Sequence, residues 1–206
     1  MHTGTEVLAI GAAACFIAAV LMLVRAHFLP TGYDPLRDAV SDYGVGAYHR
    51  YYRAMVLLLG VGATLLTIAL ARDTEAENLG LAVLGAYAAA RFGIAFFMTD
   101  LPGTPATPAG RVHVVLAAVA FTAIAFGAAD VTNAIDGSPG WSGGVAGALR
   151  FESQAVVVTA VLTLVGFLVP VARERVFGLV ERLLYVASLA WLATISLHLA
   201  TLAAGA

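Results

Sequence analysis

Residues Thr99 to His113 read TDLPGTPATPAGRVH, a polar, proline-punctuated stretch between two long apolar runs. Pro102, Pro105 and Pro108 recur at a spacing of three, which favours an extended, preorganised backbone over a floppy one. Thr107-Pro108 has the pattern of an N-cap followed by the first helical residue, so a helix is expected to open there. The flanking runs are long enough to cross a bilayer, and that decides the fold.

Outward from that stretch the pattern repeats. Of 206 residues, 61% are hydrophobic and 12% charged, against about 25% charged in a soluble domain. The mean hydropathy is +0.90. Six apolar segments stand at about 7–29, 52–71, 79–99, 108–129, 153–172 and 179–203. Each can span as a helix that satisfies its own backbone hydrogen bonds in lipid. The expected fold is therefore all-α, a polytopic transmembrane bundle of six spans forming one domain over 1–206. Small residues such as Gly60, Gly62 and Ala63 would let the helices approach closely. Net charge of −2 is too small to suggest nucleic acid. The single Cys15 excludes a disulfide framework. All eleven basic residues are arginine, which with the abundant Ala and Gly points to a GC-rich bacterial genome. The first run lacks a basic leader, and Arg25 follows it where a signal peptidase needs small residues, so it reads as a retained span.

Arginine counts give the expected orientation. Connections one, three and five carry Arg25, Arg37, Arg50, Arg53, Arg111, Arg173, Arg175 and Arg182, whereas the opposite side has only Arg72 and Arg150. The odd connections should be cytoplasmic, in a bacterial inner membrane, with both termini outside.

Connection one holds Tyr33, Tyr43, Tyr48, Tyr51 and Tyr52, an aromatic set suited to the membrane interface. Asp34-Pro35 predicts one or two helical turns over 35–40, ended by Ser41-Asp42-Tyr43-Gly44. Arg111 falls in the first turn of span four, where a cation opposes the helix dipole. It reads as a positive-inside anchor, as a partner of Asp100, or as a contact for a bound anion. Arg91 lies within span three, eight residues before Thr99, or about 12 Å of helix rise. An arginine at that depth marks function unless it snorkels or pairs. Its expected partners are Asp42, Asp100 or a lipid phosphate.

Threaded this way, Ser41, Asp42, His49, Arg50, Arg91, Asp100, Arg111 and His113 share one membrane face. Cations, carboxylates and imidazoles at headgroup depth suit a phosphate-bearing lipid. Ser41, Arg50, Arg91, Asp100 and Arg111 are the candidate ligand-binding residues. Asp42 and His113 are acid/base candidates should the protein be an enzyme on lipid or isoprenoid substrates. His49, His113, Asp42 and Asp100 are acceptable zinc ligands, but no HxxxH, HExxH or CxxC spacing supports a metal site, and the sequence leaves any cofactor unknown. His198 belongs to the opposite face, which argues against a three-histidine hydrolase of the alkaline ceramidase type. Gly140-Trp141-Ser142-Gly143-Gly144 matches GxSxG but lacks the preceding strand of a nucleophile elbow. Arg150 and Glu152 imply that span five begins well after Ser142, which separates it from a rhomboid-type protease serine. A small-solute transporter is a third reading, opposed by the absence of a midplane Gly/Pro break.

AVSDYGVG before span two and TDLPGTPATPAGRVH before span four resemble the bacterial membrane family called domain of unknown function 998. The resemblance rests on an SD-x-G element, here Ser41, Asp42 and Gly44, and a G-x-x-H element, here Gly110 and His113. The first element is also similar to one in DRAM/Frag-type membrane proteins. The resemblance implies the helical fold and these residues, and no particular reaction. The expected function is binding of a membrane lipid, such as a lipid phosphate, in a cytoplasmic-side polar pocket.

Overall fold

In the computed structural model, residues 2–73 and 78–205 are described. They form seven α-helices: α1 His2–His27, α2 His49–Asp73, α3 Asn78–Ile94, α4 Pro108–Ile135, α5 Gly143–Leu168, α6 Pro170–Arg175 and α7 Phe177–Gly205. A 3-10 turn, Val40–Gly44, precedes α2. Among the described residues, five helices are long and apolar enough to cross a membrane, and α3 is a shorter apolar one. The protein is a multi-pass helical membrane protein.

The helices pack in the cyclic order α1, α2, α3, α4, α5, α7 and back to α1, with α2 also touching α7 across the ring. Contact between α4 and α5 is the sparsest of these neighbours. Alanine and glycine make the close approaches: a Cβ on Gly62 would overlap the Phe16 ring, and one on Gly127 would meet Leu84. The core holds Phe16, Leu59, Leu66, Tyr87, Ile124 and Trp191, all but excluded from the surface. The Trp191 indole N–H donates to Thr132 Oγ at 2.9 Å, tying α7 to α4 deep in the bundle.

Three boundaries differ from those expected. Span three ends at Ile94 rather than at 99, because Ala95–Phe97 turn away and the Phe97 carbonyl accepts from the His113 ring instead of from a helical N–H. The helix of span five starts at Gly143, ten residues before the expected 153. Its charged residues find partners on neighbouring elements: Arg150 pairs with Asp136 at 3.1 Å at the surface, and Thr194 Oγ donates to Glu152 Oε1 at 3.0 Å. Pro170 breaks the far end, since it has no N–H to continue the helix, and a separate turn α6 follows.

Connection one forms a single helical turn at 35–38, where Leu36 N–H donates to Asp34 Oδ1 at 2.9 Å and Asp38 N–H to the Asp34 carbonyl at 2.8 Å. Gly178 and Leu179 at the start of α7 donate to the carbonyls of Arg37 and Leu36. Arg182 adds a clamp, donating to the Asp38 carbonyl at 2.7 Å and to His27 Nε2 at 2.8 Å. Connection one, the 99–107 hairpin and the start of α7 thus gather at one end of the bundle. At the other end His198 Nε2 faces the Gly140 carbonyl, with its ring on Trp141.

Candidate functional site

The gathered end opens into a cavity of about 1020 Å³ between α3, α4, α5 and α7. Ser41, Asp42, Arg91, Asp100, Arg111 and His113 all line it. His49 and Arg50 do not: both are exposed at the start of α2, His49 bonded to Gly46 and Arg50 lying over the Tyr51 ring.

The hairpin is organised by Asp100. Its two carboxylate oxygens accept from Thr107 N–H and Thr107 Oγ–H, each at 2.8 Å. Thr107 Oγ in turn accepts from Gly110 N–H at 3.0 Å, so the expected N-cap is present and is itself held by an acid. The Thr107 bonds keep the Asp100 carboxyl below its ordinary range. A Cβ on Gly110 would collide with that carboxylate, which is why glycine occupies this buried position. Asp100 is thus committed to its own loop, and Arg111 forms no ion pair among the described residues.

Asp42 plays the matching part in connection one. Its Oδ2 accepts from Ala39 N–H at 3.0 Å and fixes the 3-10 turn. Burial pushes its carboxyl up to about 6, with the Ala39 bond acting in the other direction. Gly44 leaves room for the Tyr52 ring, which a Cβ would strike.

Arg91 is 2% exposed. It does not snorkel towards the interface. Its guanidinium sits among the rings of Tyr87, Tyr185 and Phe121, 5.0, 5.0 and 5.5 Å from their centroids, and Nη1 donates to Tyr185 Oη at 2.8 Å. Neither Asp42 nor Asp100 pairs with it, and its buried Nε has no acceptor. His113 is 4% exposed, and its Nδ1 bonds the Phe97 carbonyl at 2.8 Å. A carbonyl only accepts, so Nδ1 carries a proton, and Nε2 is an acceptor whenever the ring is neutral.

The sequence reading missed Arg37, Asp38, Tyr52, Arg173, Glu181 and Tyr185, which also line the cavity. Glu181 is buried and accepts from Val40 N–H at 2.7 Å, joining α7 to the 3-10 turn. One signal was available: Glu181 and Tyr185 are four apart on one helix face, an acid and a hydroxyl inside an apolar span. Below this polar mouth the walls turn apolar. Val114, Ala118 and Phe126 of α4 and Val161 and Leu164 of α5 line the cavity and are solvent-exposed. The exposed apolar lining of α4 and α5 opens the cavity sideways between them, where contact is sparsest among adjacent helices of the ring.

Among the described residues, no three His, Cys, Asp or Glu side chains are grouped to hold a metal ion. Ser142 is exposed, and no hydrogen bond joins it to His198 among the described residues.

No curated protein and no solved structure matches this chain. A family model described as "Protein of unknown function (DUF998)" matches residues 10–198 and so spans every helix described above. With nearly its whole length matched, including the Asp42–Gly44 turn and the Gly110–His113 helix start, the chain belongs to the DUF998 family.

Proposed function

We propose that the protein binds a membrane lipid with an anionic head, a phosphate above all, in the crevice between α4 and α5. The observation that carries this reading is Arg91, a buried guanidinium beside a large cavity that forms no ion pair among the described residues. Burying such a charge alone costs several kcal/mol. Its aromatic cage offsets part of that, at up to about 2 kcal/mol for a desolvated cation–π contact. An anionic oxygen in the cavity would supply the missing counter-charge.

The division of labour among the other charged groups supports the same reading. The four carboxylates at the mouth each hold backbone N–H groups: Asp38 that of Asp34, Asp42 that of Ala39, Asp100 that of Thr107 and Glu181 that of Val40. Arg111 and Arg173, by contrast, form no ion pair among the described residues. The acids are committed to the fold and, with Arg37 paired to Asp34 at 3.6 Å, Arg111 and Arg173 are the cations left for a ligand beside Arg91. The apolar lower walls suit an acyl or isoprenoid tail, which can enter from the bilayer through the gap between α4 and α5. The arginine bias supports a cytoplasmic-facing mouth in a bacterial inner membrane, with both termini outside.

Native mass spectrometry of the protein released from mild detergent tests this. Wild type should carry an anionic lipid adduct, and Arg91→Met should lose it while keeping its helical circular dichroism. Equal retention by a folded Arg91→Met protein would remove the basis of the proposal.

A further inference from the structure

The cation selects one half of a head group, and an acceptor at the same cavity selects the other. His113 lines the cavity, and in its neutral form the Nδ1 bond to the Phe97 carbonyl leaves Nε2 as an acceptor. A head with no hydrogen to donate would leave Nε2 facing it without a partner once the head shields it from water, and an acceptor buried in that way is costly to leave unpaired. Deepening the lipid-binding reading and resting on it, we infer that the bound head carries an O–H donor beside its anionic charge, received by His113 Nε2. A phosphate monoester offers that hydrogen as P–OH, and a hydroxylated phosphodiester offers it as an alcohol. His113 is then a specificity residue, positioned by the Phe97 carbonyl and separate from the charge contact at Arg91.

The test uses three short-chain lipids on the delipidated, full-length protein in one detergent, with binding read by native mass spectrometry. Dihexanoyl phosphatidylmethanol has an anionic phosphate and no donor. Dihexanoyl phosphatidylglycerol adds alcohol donors at the same charge, and dihexanoyl phosphatidic acid adds P–OH. Wild type should favour one or both donor lipids over phosphatidylmethanol by roughly three- to tenfold, the worth of one hydrogen bond. Preference for the glycerol lipid identifies an alcohol donor, and preference for the acid identifies P–OH.

His113→Asn keeps an amide N–H where Nδ1 stood and removes the acceptor at Nε2, so it should bring the three lipids level. His113→Gln places an amide oxygen near the Nε2 position and should restore part of the preference, which also guards against a folding defect in the Asn variant. Equal binding of all three lipids by wild type, or an undiminished preference in folded His113→Asn, would overturn the inference. Arg91→Met should weaken all three lipids alike. If it weakens none, the lipid-binding reading fails, an outcome distinct from failure of the His113 assignment.

Discussion

Gly110→Ala is a sharp test of how the hairpin and α4 are joined, because two known effects act there in opposite directions. Gly110 is the third residue of α4, and alanine is the better helix former by about 1 kcal/mol. The added methyl, however, would overlap the Asp100 carboxylate. Overpacking of a buried position costs about 1–3 kcal/mol. The displaced carboxylate also gives up its bonds to Thr107 N–H and Oγ, which loosens the cap of α4. The net expectation is destabilisation by up to about 2 kcal/mol. For a chain of this size that lowers Tm by up to about 8 °C, on the soluble-protein scale of about 2–4 °C per kcal/mol. Thermal unfolding followed by circular dichroism in a single detergent measures it. The decisive comparison is the same change in an Asp100→Ala background, where the methyl meets no carboxylate and only the helix-propensity gain remains. There Tm should rise. A rise in the parent background, or an equal fall in both, would refute the claim that Asp100 is what requires glycine.

Three further outcomes are expected. Asp42 has a folded-state pKa of about 6, above its ordinary 3.8, so the folded form holds the proton more tightly. Its contribution is fully present below pH 3.8 and lost as pH rises through 6, so Asp42→Asn should flatten stability over that window. The substitution should also raise Tm at pH 7.5, by at most about 3 kcal/mol of stability, and an unchanged pH profile would count against it. Thr132→Val should cost about 1–3 kcal/mol by stranding the buried Trp191 N–H, and Trp191→Phe, which also leaves a cavity, should cost less in that background than in wild type if the bond is the cause. Gly44→Ala should destabilise through the Tyr52 ring, and Tyr52→Leu should relieve it, as paired melting curves would show.

The helical spans were legible because twenty-residue apolar runs admit few other structures in lipid. The helix start at Thr107-Pro108 was legible because N-capping is local chemistry. Where boundaries moved, the cause was tertiary. The Phe97 carbonyl is drawn out of α3 by a histidine sixteen residues later, and Arg150 and Glu152 enter α5 because Asp136 and Thr194 are there to meet them. Hydropathy alone carries no record of such partners. The same holds at the cavity. Threading the spans placed Arg91 and Arg111 towards one end, but which acids were already committed to backbone N–H groups could be read only from coordinates. Arg50 shows the limit of the method: it lies at the right depth and points away from the cavity.

The sideways opening between α4 and α5 sets which concentration matters. A molecule that enters from water is counted in moles per litre of solution. A molecule that enters through this gap is counted by its mole fraction among the lipids of one leaflet. For an abundant lipid that fraction is high at all times, so even a modest intrinsic affinity would keep the crevice filled. Occupancy would then track membrane composition and change only as the leaflet is remodelled.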